Sequence, residues 1–243
     1  GKTVRRDPTT LSSGAPNRDR GEQAQGGFRA DWAAARDAFT LQGDAYDGST
    51  FEQRREYSGM NVLGRWTRDL GAGAERRVQA YFNRTTRHHF GVFREELETY
   101  DLEAQHGLAR RGAHRLLWGA GLRQHQDSVQ NSPGIQFLPE NLRLSRNHVF
   151  AQDEIALRHD LDLTVGAKLE YNNYTGNEFL PSARIGWKLS EAALLWAALS
   201  RSVRAPSRVD RELFAPLGAT PLAGGPGFAS EVAKVAELGY RGQ

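Results

Sequence analysis

Arg201, Arg204, Arg208 and Arg211 are four arginines in one short segment, and they offer the plainest binding chemistry in the chain. Guanidinium groups grip carboxylates and phosphates with two parallel hydrogen bonds, so the cluster suits a small anionic ligand. The same arginines could instead line a watery lumen or pair with Asp210 and Glu212. Other constellations are weaker. His88 and His89 are adjacent, and adjacent residues of a strand point to opposite faces, with no Asp, Glu or His at a diagnostic metal-binding spacing. Asp153–Glu154 and Glu95–Glu96 are split between faces by the same alternation, which makes them poor acid/base dyads. Ser200, Ser202 and Ser207 lack a G-x-S-x-G nucleophile elbow. His125, Asp127 and Ser128 are close in sequence, which alone gives little reason to expect a hydrolase site. No glycine-rich phosphate loop ends in Lys-Ser/Thr. The chain therefore reads as a binding protein and not an enzyme, without a cofactor or metal.

The arginines follow directly on a strand. Leu194–Leu213 reads LLWAALSRSVRAPSRVDREL, an apolar run that turns abruptly basic, as a wall leaving a bilayer for water would. Period-two alternation recurs from Phe28 onward. Leu163, Val165, Ala167, Leu169 and Tyr171 share one face, while Asp162, Thr164, Lys168 and Glu170 share the other; a helix would scatter them. Ala183, Ile185, Trp187 and Leu189 oppose Arg184, Gly186 and Lys188, and Val78, Ala80 and Phe82 oppose Arg77, Gln79, Tyr81 and Asn83. His148–Arg158 is less regular, because Asp153 falls on the face of Ile155 and Leu157. Ala229–Leu238 could form an amphipathic helix but is assigned as a strand. Roughly eleven strands result.

Composition bounds the function. The chain has 243 residues, a net charge of +3 and no cysteine. Disulfides, thiolate metal sites and cysteine nucleophiles are excluded. The arginines are dispersed along the chain, so no nucleic-acid footprint is present. No run of about 18 apolar residues offers a transmembrane helix. A mean hydropathy of −0.62 does not exclude a membrane barrel, where only alternate residues meet lipid. Residues 1–25 are rich in Gly, Pro, Ser, Asp and Arg without any period and are expected to be a loop or disordered segment. They lack the apolar core of a signal peptide.

Short breaks at Ala34–Asp37, Gly71–Glu75, Leu108–Ala113, His159–Leu161 and Ser190–Ala192 alternate with longer polar connections. The latter are Asp47–Ser58, Arg87–Glu95, Asp127–Arg146, Asn173–Leu180 and Arg201–Ser230. Tight turns at one end and long loops at the other mark an antiparallel membrane barrel. Trp32, Trp66 and Trp187 lie near the tight turns, where an interfacial aromatic girdle would place them; Trp118 and Trp196 fit less well. A soluble or surface-anchored β-rich adhesion module is the alternative. An outer-membrane hydrolase using His125 or Ser128 is a distant third.

LLWAALSRSVRAPSRVDREL resembles the signature of TonB-dependent outer-membrane receptors, which reads close to LLWAAxSRAVRxPSRxDxDL. GFRADW (Gly27–Trp32), FTLQGDAYDG (Phe39–Gly48), SGMNVLGRWTRDLG (Ser58–Gly71), HRLLWGAGLRQHQD (His114–Asp127) and SEVAKVAELGYRGQ (Ser230–Gln243) extend the likeness in order across nearly everything after residue 26. The resemblance implies an all-β antiparallel transmembrane barrel, about half of a 22-stranded one, over 26–243, with the plug domain absent. It implies the bacterial outer membrane, with the lipid bilayer as one partner. It further implies energised uptake of a scarce ligand, most often a ferric siderophore, with a TonB energy-transducing complex engaged through the missing plug. An anionic iron chelate would suit the four arginines, although a structural or plug-contacting role fits that signature as well. An open half-barrel would leave unpaired edges in lipid, so the chain is expected to be a fragment that cannot transport alone.

Overall fold

The computed structural model describes residues 1–17, 19–51, 54–216 and 220–242. Expectations that fall on 18, 52–53, 217–219 or the terminal Gln243 lie outside the described residues. In chain order the elements are β1 (Lys2–Arg6), β2 (Gly21–Ala34), β3 (Asp37–Thr50), β4 (Arg55–Gly71), β5 (Ala74–His89), β6 (Phe93–Gly107), β7 (His114–Gln130) and β8 (Gln136–Phe137). There follow β9 (Asn141–Arg158), β10 (Leu161–Asn172), β11 (Gly176–Ser190), β12 (Ala193–Arg204), α1 (Arg208–Glu212), β13 (Leu213–Ala215), β14 (Leu222–Ala223) and β15 (Glu231–Gly242). A 12-stranded antiparallel sheet runs β1-β2-β3-β4-β5-β6-β7-β9-β10-β11-β12-β15, and β14-β13-β8 form a small sheet beside it. Each long strand pairs with its predecessor in the sheet, as tight antiparallel hairpins require. β1 and β15 do not pair with each other among the described residues, so the sheet is open.

The period-two reading holds strand by strand. Leu102 lies opposite Ala80 and Leu122, Leu163 opposite Ile155 and Ile185, and Leu169 opposite Val149 and Phe179. These rows form a continuous apolar face whose large side chains stay exposed, with Leu122 at 56%, Phe179 at 57% and Leu199 at 62%. No large side chain is fully buried among the described residues. A single layer with an apolar face and no core needs an apolar surrounding. The other face is polar and paired: Asn61 Nδ2 donates to Asp44 (2.8 Å), Arg65 to Gln79 (2.7 Å) and Arg123 to Asp101 (2.7 Å), and Lys168 meets Glu170 (2.7 Å). Asp153, the irregular acid of β9, sits on the apolar face because His114 Nδ1 lies 2.6 Å from its Oδ2.

Two sequence expectations change. Residues 1–25 are not all loop: β1 pairs Lys2 with Gln25 through Arg6 with Gly21. Three of the five long connections shrink, because β3 continues to Thr50, β5 to His89, and β11 already begins at Gly176. Both differences have one cause. Where a hairpin projects beyond an apolar surrounding, both its faces are wet, so hydrophobic alternation falls silent while the backbone ladder continues. The β7–β9 and β12–β15 connections remain long. Ala229–Leu238 lies mainly in β15 and is a strand, as expected.

The short turns have their own chemistry. Gly71 and Gly73 take φ of 82° and 76° on either side of Ala72, a left-handed region that glycine enters at least cost. Indole N–H groups brace two corners, Trp66 donating to Asp37 (2.8 Å) and Trp187 to Asp160 (2.9 Å). The Trp187 bond is the main reason that the Asp160 carboxyl titrates below its ordinary range. Trp32 stacks on Phe39 at 5.3 Å. Trp196 differs because its register, opposite Gly186 and Gly239, puts it on the polar face.

With the apolar face against lipid, Leu102→Arg should lower unfolding stability in bilayers by about 2–4 kcal/mol if the site lies near the midplane. Ser200→Arg on the polar face, opposite Ser182 and Val235, should cost less than about 1 kcal/mol. Denaturant titration of the two variants in liposomes checks this, and equal losses would defeat the assignment of faces.

Candidate functional site

The long connections β7–β9 and β12–β15 meet at the end of the sheet opposite the short turns. α1 starts there because Pro206 and Ser207 precede it. Ser207 is extended (φ −88°, ψ 171°) and closes a capping box with Asp210. The Ser207 N–H donates to Asp210 Oδ2 at 2.8 Å, and the Asp210 N–H returns a bond to Ser207 Oγ at 3.3 Å. Such reciprocal bonds satisfy the orphan donors of a helix start. They also hold the Asp210 carboxyl below its ordinary range, with the Ser207 N–H the largest cause and Arg204 a lesser one.

The four sequence-predicted arginines do not converge on one point. Arg201 donates to the Phe179 carbonyl (2.6 Å) and to Glu178 (3.1 Å), where the β11–β12 ladder has stopped at Ser182–Ser200. Arg204 holds its cross-strand partner Glu231 with two bonds, 3.1 and 2.7 Å, and lies 3.6 Å from Asp210. Arg208 is the buried one, its side chain 8% exposed against 10% for Asp127, 2.9 Å away. It also donates to the carbonyls of Pro139 and Glu140 and lies over the Phe137 ring. Arg211 donates to the Phe228 carbonyl (2.8 Å) and stacks over Tyr174 at 5.0 Å.

Arg204, Arg208 and Arg211 thus tie the 205–230 connection to β15, to β7 with the β7–β9 connection, and to the β10–β11 turn, while Arg201 ties β12 to β11. Asp127 shares the face of Arg123 and Asp101 by alternation, so α1 arches over the polar side of the sheet. Backbone bonds join in: the Leu138 N–H donates to the Glu212 carbonyl (3.0 Å), and β13 pairs with β8. Tyr174 in the β10–β11 turn donates to Glu212 (2.7 Å). Burial, then that hydrogen bond, raises the Tyr174 phenol far above its ordinary range, so it stays a donor. Ser230 donates to Glu178 (2.6 Å) and closes the network.

Residues that sequence reasoning did not single out for this site, namely Asp127 in its real role, Tyr174, Glu178 and Ser230, carry no local signal, because their partners are distant in sequence. The S-x-x-D spacing of Ser207–Asp210 is the one local signal that could have marked a helix start. Ser207 caps this helix. His125 Nδ1 lies 2.9 Å from Thr99 Oγ1, and alternation puts Ser128 on the opposite face, so no hydrolase triad is assembled there. His88 sits 3.8 Å from Glu56, and no group of three metal-binding residues occurs among the described residues. Glu95 and Glu96 go separately to Arg87 and Arg84, as Asp153 and Glu154 go to His114 and Arg110.

The sequence matches the family model "TonB dependent receptor-like, beta-barrel" over residues 2–243. The chain belongs to this family. Its fold is that of solved TonB-dependent receptor barrels. The siderophore receptor PirA from Pseudomonas aeruginosa superposes with a TM-score of 0.76 at 16% identity, covering 93% of this chain and 43% of that one. PirA from Acinetobacter baumannii gives 0.76 at 12% identity, covering 93% and 41%. The alcaligin outer-membrane receptor FauA from Bordetella pertussis gives 0.63 at 14% identity, covering 91% and 40%. The chain spans less than half the length of each. No curated protein sequence matches it. In a TonB-dependent receptor barrel the apolar face meets lipid and the polar face the lumen, so the α1 connection lies over the lumen at the long-loop mouth.

Removing one partner of a buried ion pair strands the other charge, at about 3–5 kcal/mol. Arg208→Ala should therefore loosen the 205–230 connection, seen as faster hydrogen exchange at 207–213, and Arg208→Ala with Asp127→Ala should recover part of the loss. Equal exchange in all three proteins would refute the clamp. A second expectation concerns pH. Because the folded Asp210 carboxyl titrates low, its contribution is complete above the ordinary carboxylate range and disappears as pH falls through its depressed value. The chain has no cysteine, so a spin label at the exposed position of Thr220→Cys is unique. Its mobility should rise in acid, and Asp210→Asn should flatten that response.

Proposed function

We propose that this chain forms part of the wall of an outer-membrane TonB-dependent receptor that takes up a scarce ligand, most often a ferric siderophore. The observation that carries this is the family match across residues 2–243. The neighbours named as siderophore receptors support the ligand class. The two unpaired sheet edges and the coverage of less than half of those receptors support a wall completed by further strands, as no open edge is stable in lipid. Coupling to the TonB energy-transducing complex then belongs to a plug domain seated in the lumen.

Within this reading the four arginines have unequal parts. Arg208 is consumed by Asp127 and two carbonyls, and Arg201 by Glu178 and a carbonyl. The Arg204 side chain is 60% exposed at the mouth and, with Arg211 beside it in the chain, can add an anionic ligand to its existing bonds. The soluble adhesion module has no observation in its favour. Such a module would have to keep Leu102, Leu122, Phe179 and Leu199 in water together on one face, an apolar patch of a kind that marks a membrane or protein contact.

The test is uptake of an iron-55-labelled ferric siderophore panel by the source bacterium, with and without the gene for this chain. Loss of uptake for one siderophore, abolished equally by collapsing the proton-motive force, is the expected result. In that background Arg204→Gln should weaken binding of an anionic chelate by a few-fold, the modest loss expected for one exposed cation. Uptake unaffected for every siderophore would overturn the ligand class.

A further inference from the structure

The short-turn end carries a charge arrangement that the receptor function does not use. Arg68 on β4 and Arg76 on β5 are direct cross-strand partners, and alternation places both on the lipid-facing side with Trp66. Like charges directly opposite destabilise a sheet. Here little offsets them. Asp37 accepts the Trp66 indole N–H at 2.8 Å and stands 3.6 Å from Arg68, while Arg76 has no carboxylate within ion-pair distance among the described residues. The nearby acids are occupied on the other face, Asp69 by the Gly71 N–H (2.7 Å) and Glu75 by Arg77 (2.8 Å). A third exposed cation, Arg36, is held at the same corner by the bond from the Asp69 N–H to its carbonyl (2.9 Å). The corner therefore sets Arg68, Arg76 and Arg36 against one facing carboxylate, Asp37, which is shared between Arg68 and the Trp66 indole.

Farther from the turns, a groove of about 680 Å³ runs from β4 and β5 across β6 and β7 to β9, its lining including Val62, Gly64, Ala80, Phe82, Leu102 and Leu122 with the polar Gln124 and Asn147. Gly64 and Ala80 are small and opposite each other, so the wall is recessed there between Val62, Phe82 and Leu102. From Arg76 to Ala80 is about 13 Å along the strand, the span from a lipid phosphate to the upper part of its acyl chain. Trp118, 52% exposed, packs edge-on against His106 at 5.8 Å beside Arg76, where an interfacial aromatic belongs. A free phosphate would satisfy the arginines but not the groove. We infer that Arg68 and Arg76 bind the phosphate of one anionic phospholipid of the leaflet at the short-turn end, with an acyl chain in the Gly64–Ala80 groove.

This rests on the lipid-facing assignment of the apolar side. The test uses the protein carrying this chain, extracted from outer membranes and exchanged into nanodiscs of phosphatidylcholine with a minor share of phosphatidylglycerol. Lipid retained after gentle release is counted by native mass spectrometry. The wild type should keep one phosphatidylglycerol. Retention should fall about fivefold for each arginine removed, in Arg76→Gln and then Arg68→Gln/Arg76→Gln, the effect of one surface cation on an anionic lipid. Ala80→Phe should lower retention with both arginines intact, and Arg76→Lys should restore much of it. Arg115→Gln, which removes an exposed arginine from the lumen side, should leave it unchanged. Equal retention in wild type and double variant would overturn the site. So would displacement by inorganic phosphate as effective as by phosphatidylglycerol, which would make it a free-anion site. A protein that stays in solution without detergent or lipid would refute the membrane reading itself, a result distinct from failure of the site.

Discussion

The backbone ladder of a single antiparallel sheet bears almost the whole structure. With no large side chain fully buried among the described residues, there is no second layer to supply hydrophobic packing, so the strands are held by their own hydrogen bonds and by what surrounds them. In lipid each peptide group left without a partner costs several kcal/mol. This makes the sheet intolerant of gaps and accounts for registers that shift only beside the short turns, at Asp69/Gly71, Leu161/Asp162 and Lys188/Ser190. It also separates the demands on side chains. Apolar residues face outward because the bilayer stands in for a core, while the lumen side must satisfy its charges locally, as Arg123 with Asp101 and Lys168 with Glu170 do.

At the mouth the ladder ends and side chains replace it. Arg201 bonds to the Phe179 carbonyl just beyond the last β11–β12 pair, Arg204 clamps β12 to β15, and Arg208 reaches across to β7 and the β7–β9 connection. Guanidinium groups suit this task because one planar fork can serve a carboxylate and several carbonyls together. The basic segment that first suggests a ligand site is thus, in three of its four members, the fastening of a long loop over the lumen. Binding and fastening are compatible only at Arg204 and Arg211, whose partners leave part of each side chain open.

What the sequence made legible follows from the same division. Where one face is apolar and the other polar, as in Leu163–Tyr171, alternation reports both strand and orientation. Beyond the apolar band it fails: Asp47–Thr50, Arg87–His89 and Lys2–Arg6 are strands whose two faces are both wet, and composition alone reads them as loop. Asp153 looked anomalous because the feature that accommodates it, His114, lies on another strand. The arginines' own types and spacing were visible, but their partners at Asp127, Glu178 and Pro139 were not. Long-range pairing leaves no local trace, and a cluster in sequence need not be a cluster in space.

The lumen face has a further regularity that bears on function. Tyr46 lies across Gly59 and Tyr57 across Gly48, so closely that a Cβ at Gly59 would come within 2.6 Å of the Tyr46 ring and one at Gly48 within 2.5 Å of Tyr57. Phe150 covers Gly119 in the same way, with His148 on Gly121 and Trp196 on Gly239. Pairing a ring with a cross-strand glycine restores the packing that glycine forgoes in a strand. It also lays the largest side chains flat along the wall when they would otherwise stand into the lumen. On the function proposed above, a lumen that holds a plug and lets a ligand pass would gain from such a surface. Gly48, Gly59, Gly119, Gly121 and Gly239 are therefore better read as spaces kept for particular rings than as points of flexibility.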